Sequence, residues 1–208
     1  TQRHIDDAAK LLTGIVNSLL LVPLERDRVR ISWNIPSEPF ALDFSINAEY
    51  DLLVKLLKLI RISRLHYHHT MGLPTRLWGL MRDLGVPYDF TAHDYYSACP
   101  QITLTRRDHR YCGERGIDDC QACLLEDPAP GRVGIEHWRS NYAVLLNQAE
   151  RIFAPSEDTA SRLKRYFPVA SIQVLSHPEA VTEFPDPKLP TQRPHSPLKV
   201  LVIGALSQ

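Results

Sequence analysis

Apolar positions along the chain follow two rhythms that trade places. In residues 4–16, Ile5, Ala8, Ala9, Leu12, Ile15 and Val16 recur on one face of a 3.6-residue period, which predicts an amphipathic helix with that face buried. The apolar run at 18–24 predicts a short buried strand, and the alternation at 28–33 a second, half-exposed one. Pro36 and Pro39 then break the chain before a short extended piece at 40–44. A helix is predicted over 49–60 with Leu52, Leu53, Leu56, Leu57 and Ile60 inward, followed by a strand at 64–69 that ends in histidines. Gly72 and Pro74 introduce another helix, striped by Leu77, Leu80, Met81 and Leu84 and ended by Gly85. The rest reads as a strand at 87–93, a helix at 136–148 and a strand at 151–154. A helix capped by Ser156 and a strand at 172–175 follow. Residues 94–134 carry no period and are expected to be irregular.

Strands alternating with helices predict an α/β domain built on a mainly parallel sheet with helices on both faces. The opening helix has no strand before it, so the sheet is expected to be truncated at its first strand. Residues 1–178 are read as one domain with an insertion at 95–134. Residues 178–197 hold six of the 16 prolines and no periodicity, which predicts a linker at 179–197. Residues 198–208, with an apolar strand at 199–203, are read as the start of a second domain. Parallel sheets bind ligands beyond the carboxyl ends of their strands. The polar residues expected there are His66, His68 and His69, then His93 and Asp94, then Ser156 and His177.

Composition narrows the function classes. The chain has 208 residues, of which 44% are hydrophobic, which excludes a disordered chain. Lys and Arg total 24 and Asp and Glu total 24, so there is no basic surplus to suggest a nucleic-acid partner. No apolar run approaches the roughly 18 residues of a membrane span, and the N-terminus has no leader pattern, so a cytoplasmic protein is expected. The four cysteines, Cys99, Cys112, Cys120 and Cys123, are spaced C-x12-C-x7-C-x2-C and point to one local site. The C-x2-C half fits a metal knuckle, and thiolates suit a closed, four-coordinate structural zinc. The first two spacings match no common zinc motif, and a reducing cytosol disfavours disulfides, which leaves zinc or free thiols. Arg106, Arg107, His109 and Arg110 stand beside Tyr95, Tyr96 and Tyr111. They read as a solvated basic loop or as a surface for an anionic ligand, such as a lipid-linked pyrophosphate sugar at a membrane.

At the strand-end His-Asp pair the sequence becomes specific. The segment Pro87-Tyr-Asp-Phe-Thr-Ala-His-Asp-Tyr-Tyr-Ser-Ala-Cys-Pro100 resembles the acceptor-side domain of bacterial glycosyltransferases of family 4. In that family an apolar strand ends in His-Asp-aromatic-aromatic and runs on to Cys-Pro. Thr1-Gln-Arg-His-Ile-Asp-Asp-Ala is similar to the start of the family's first helix, which normally follows a strand and a Gly-Gly loop. Arg151-Ile-Phe-Ala-Pro-Ser-Glu-Asp-Thr resembles its strand, Pro-Ser and helix element. Lys199-Val-Leu-Val-Ile-Gly-Ala-Leu-Ser resembles the first strand of its donor-binding domain.

The resemblance implies a Rossmann-like domain of a two-domain, GT-B type enzyme. Such an enzyme moves a sugar with retention from a nucleotide-sugar donor to a glycan or lipid-linked acceptor, as in surface polysaccharide synthesis. It implies that His93 faces the donor sugar and is the catalytic candidate. Asp94 would order that histidine or contact acceptor, unless it is a turn residue. His69 and Gly72 would line the acceptor side, unless the strand-end residues are structural. Ser156 would cap its helix or offer the helix N-terminus to an anionic group, and Arg3 and His4 would face the cleft. The resemblance also implies that the donor phosphates are held mainly by the second domain. Residues 1–178 alone are therefore expected to be inactive, in an enzyme that is cytoplasmic or peripheral on the inner membrane face. The competing expectation is a non-catalytic α/β module, pinned by zinc, whose Arg- and Tyr-rich loop binds an anionic partner.

Overall fold

The architecture was established from a computed structural model, which describes residues 2–12, 14–33 and 40–176, with side chains from His4 onward. The linker expected at 179–197, the second-domain start at 198–208 and His177 lie outside the described residues.

The first three strands, β1 (Leu19–Pro23), β2 (Arg28–Trp33) and β3 (Ala41–Ser45), form an antiparallel meander in which Leu21 pairs with Ile31 and Val29 with Phe44. The next four, β4 (Leu65–Tyr67), β5 (Tyr88–Thr91), β6 (Arg151–Ala154) and β7 (Ile172–Val174), form a parallel sheet in chain order. The α/β class and the parallel sheet agree with expectation. The grouping of the first strands does not, because the four residues between β1 and β2 are too few for the crossover that a parallel pair needs.

Six α-helices accompany the strands: α1 (Gln2–Leu11), α2 (Ile46–Leu59), α3 (Leu80–Leu84), α4 (Ile117–Glu126), α5 (Ile135–Asn147) and α6 (Glu157–Tyr166). Helix α1 is shorter than predicted. Its expected apolar face fails at the end, where Ile15 is 78% and Val16 51% exposed beyond a Gly14 of positive φ. In α2 the buried stripe is Ile46, Tyr50, Leu53 and Leu57, while Leu52 faces outward. Gly85 ends α3 in the left-handed conformation, which glycine adopts without a Cβ clash. Helix α4 is a further correction, since it forms inside the stretch read as irregular.

The faces of the parallel sheet differ in character. Paired residues on neighbouring strands share a face, so Tyr67, Phe90, Ile152 and Ile172 lie on one side. They are buried in a core that includes Trp138, Tyr142 and Leu145 of α5 and Ala160 and Leu163 of α6. The opposite side carries His66, Asp89 and Arg151, then Thr91 and Phe153. Asp89 is buried there but fully paired, with Arg64 Nη1 at 2.9 Å and Arg151 Nε at 3.0 Å. Helix α1 meets this polar side, bringing the His4 ring to 5.0 Å from that of His93. A second core of Val29, Ile31, Phe44, Leu53 and Leu77 joins the meander to α2, and Leu65 and Leu73 touch both cores.

Candidate functional site

The carboxyl ends of β4 and β5 open onto one pocket. Its wall includes His68, His69, Thr91, His93, Asp94 and Ser97. Alternation along the strands explains the selection. Residues 66 and 68 continue one face of β4, and residues 91 and 93 continue the same face of β5. The polar stripe of the sheet thus runs straight into the pocket.

Two hydrogen-bonded pairs organise it. His69 Nε2 lies 3.1 Å from Asp94 Oδ2, while His69 Nδ1 accepts the Met71 N–H at 3.0 Å. An accepting Nδ1 carries no proton, so the ring proton sits on Nε2 and is donated to Asp94. Asp94 Oδ1 accepts the Tyr96 N–H at 2.8 Å. Burial works to raise the Asp94 carboxyl, but the bonds from His69 and Tyr96 outweigh it and hold the group below its ordinary value. Asp94 is thus both a turn residue and the partner that orients His69.

The second pair is His68 and His93, whose Nδ1 and Nε2 are 3.2 Å apart. One of these nitrogens must donate and the other accept, so the tautomer of one ring sets that of its partner. His66 stacks on His68 at 4.1 Å and its Nε2 lies 2.8 Å from Thr91 Oγ1. Crowding by protein pushes His66 down to about 4, and the nearby His4 adds to that, so the ring stays neutral at ordinary pH. With His4 at 5.2 Å from His68, four imidazoles stand together on one edge of the sheet.

Of the residues singled out from sequence, His93, Asp94 and His69 are brought together in this pocket. Gly72 and Ser156 are not part of its wall. Gly72 has φ +74 and turns the chain against Pro23, where a Cβ would stand 3.6 Å from the ring. Ser156 caps α6 by accepting the Thr159 N–H at 3.2 Å. Arg3 belongs to α1, but its side chain is outside the described set. Two wall residues had no signal in the sequence. Tyr142 comes from α5 and bonds the hydroxyl of Thr70. Ser97 is 3% exposed and its Oγ has no hydrogen-bond partner among the described residues.

The pocket is tied to its surroundings by aromatic residues. Tyr96 stacks on His69 at 4.9 Å and meets Trp138 edge-on, and the Trp138 indole donates to the Tyr96 carbonyl at 2.8 Å. Tyr95 donates to Asp158 in the first turn of α6 at 2.8 Å. Beyond these tyrosines, Cys99, Cys112, Cys120 and Cys123 line a second pocket together with Leu104 and Ile135. Among the described residues no three His, Cys, Asp or Glu side chains stand at metal-binding spacing. None of the helices described is long and apolar enough to cross a membrane.

No curated protein matches the chain. A family model does, and it decides between the transferase and the non-catalytic module. The matched region contains every residue of the pocket at the strand ends. The model of Glycosyltransferase Family 4 covers residues 19–178, so the chain belongs to that family and carries a glycosyltransferase domain that serves a sugar donor and an acceptor.

Proposed function

We propose that the pocket at the ends of β4 and β5 is the acceptor-side wall of a retaining glycosyltransferase that uses a nucleotide-sugar donor. The observation that carries this reading is the convergence of His93, Asp94 and His69 on one pocket that also holds a buried hydroxyl without a partner among the described residues. Sugars present hydroxyls in several directions, and such a wall offers both donors and acceptors to meet them.

In this reading His93 hydrogen-bonds a hydroxyl of the donor sugar. The transition state resembles an oxocarbenium ion leaving a phosphate, and a polar group already in place stabilises it without reorganisation. His68 sets the tautomer that His93 presents. Asp94 orients His69 toward the acceptor side, with the Met71 N–H holding the ring from behind. Ser97 Oγ takes one further sugar hydroxyl. Turnover then requires the second domain, which the resemblance makes the holder of the donor phosphates. Arg107, His109 and Arg110 are exposed on the loop beyond the pocket and suit a lipid-linked pyrophosphate acceptor at the inner membrane face, as in surface polysaccharide synthesis.

The test is steady-state kinetics of the complete enzyme with its donor. His93→Ala should lower kcat by about 10²-fold, and Ser97→Ala should raise a sugar KM by about 2–10-fold with kcat nearly kept. A His93→Ala effect confined to acceptor KM would remove the transition-state role. Product with inverted anomeric configuration would remove the retaining assignment.

A further inference from the structure

The thiol pocket lies outside the sugar site and is built from three separate stretches. Cys99 ends the turn that follows β5, with its N–H on the Tyr95 carbonyl at 2.9 Å. Cys112 follows the small bridge between Thr105 and Tyr111, its N–H on the Leu104 carbonyl at 2.8 Å. Cys120 and Cys123 stand three apart on α4, which puts both on one helix face. Sequence spacing relates only the last two. The fold brings all four to one pocket, and none is in a disulfide.

Hydrogen-bond donors face two of the four sulfurs. The Glu114 N–H points at Cys112 Sγ from 3.4 Å, and Arg139 Nη2 approaches Cys120 Sγ to 3.5 Å. Arg106 and Arg115 also line the pocket. Neutral thiols have little reason to converge on a point. Accordingly Cys120 Sγ is turned to the Arg115 carbonyl at 4.0 Å, and no metal-ready spacing exists as the side chains stand. A cation at the centre removes that obstacle by replacing the thiol protons.

The segment also needs an anchor. Ile102, Leu104, His109 and Glu114 all have left-handed backbone, with φ of 36, 57, 61 and 48, a conformation that side chains with a Cβ adopt only at a cost. The stretch begins at the sugar pocket, since Tyr96 and Ser97 lie just before Cys99.

We propose that Cys99, Cys112, Cys120 and Cys123 form a structural zinc site that clamps residues 95–134 behind the sugar pocket. Four thiolates suit tetrahedral Zn²⁺, with Zn–S of about 2.3 Å, better than any hard cation. Binding releases four thiol protons to solvent and leaves a centre of net charge −2 facing Arg106, Arg115 and Arg139. With four protein ligands no coordination position remains for substrate, so the ion supports the site without taking part in transfer. This inference does not depend on the sugar chemistry proposed above.

Elemental analysis of the full chain, purified under reducing conditions from zinc-supplemented cells, should find about one equivalent of zinc. Less than about a fifth of an equivalent overturns the site. Cys112→Ser and Cys120→Ser should each lose the metal, while His69→Ala and His93→Ala should retain it. The reverse pattern would move the ion to the histidine cluster and overturn the proposal. Exchange with cobalt should give sulfur-to-metal charge transfer and a tetrahedral ligand-field spectrum. A weak octahedral spectrum counts against four thiolates. Hydrogen exchange guards against misfolded variants. Stripping the zinc from the wild-type chain should expose amides in 95–134 while β5 and β6 stay protected, and no change in that segment would overturn the clamp.

Discussion

His66 illustrates how one side chain ties the sheet to pH. Its ring stacks on His68 and bonds Thr91, and crowding lowers its pKa to about 4 from the ordinary 6.5. Between those values the unfolded chain binds a proton that the folded chain refuses. Stability is therefore intact above about pH 6.5 and declines as pH falls toward 4. Part of the ring still reaches solvent, so the loss is smaller than the full shift implies. His66→Gln should flatten this dependence. Urea midpoints measured every half unit from pH 7 to about 4 are the check, and parallel curves for the two proteins would show that His66 does not titrate low. Within the pocket, His69, His93 and Asp94 were readable in advance because strand ends are where such sheets place polar groups. Ser97 was not, because a serine in an aperiodic loop has no pattern that marks it as buried. The ordering of His69 by both Asp94 and the Met71 amide was equally invisible, since each depends on a turn geometry.

Helix α6 holds the cysteine-bearing stretch in place through one carboxylate. The Glu114 side chain is 4% exposed and accepts from Tyr111, from Tyr166 at 3.0 Å and from Arg162, with Arg165 at 3.3 Å. Arg162 also reaches Asp158 at 2.9 Å on its own helix. Burial tends to raise the Glu114 carboxyl, but the two tyrosines and the two arginines outweigh it and keep it below its ordinary value. Arg162→Ala leaves that charge short of its best partner. We expect a loss of about 1–3 kcal/mol in urea unfolding, because Arg165 and both tyrosines remain. Limited proteolysis should then cut faster within residues 100–116. Unchanged cutting would mean that the thiol pocket alone holds the stretch. The hydroxyls of Tyr95 and Tyr111 are engaged by Asp158 and Glu114, which ties the loop to α6. Helix α4 went unread for a reason of its own. Its exposed residues give a weak apolar stripe, and only Leu124 is fully buried.

At the scale of the whole molecule, the meander and the parallel sheet have separate cores joined through Leu65 and Leu73. Leu53 is fully buried in the meander core, and Leu53→Ala should cost about 2–5 kcal/mol. If the shared leucines couple the cores, hydrogen exchange in β5 should rise together with that in β2. A rise confined to β2 would show two independently unfolding parts. The sequence by itself determines most of the local elements, α4 excepted, since periodicity records which side of a helix or strand meets the core, and the strand predicted at 151–154 matches β6 to its last residue. It also determined the family, because the His-Asp pair, the Pro-Ser element and their order are linear features. Tertiary structure alone decided which strands pair, why one sheet face is polar, and that the Ser97 hydroxyl is buried in the strand-end pocket. It also decided that four cysteines from three stretches share one pocket. Those outcomes depend on contacts between residues far apart in the chain, and such contacts leave no period in the sequence.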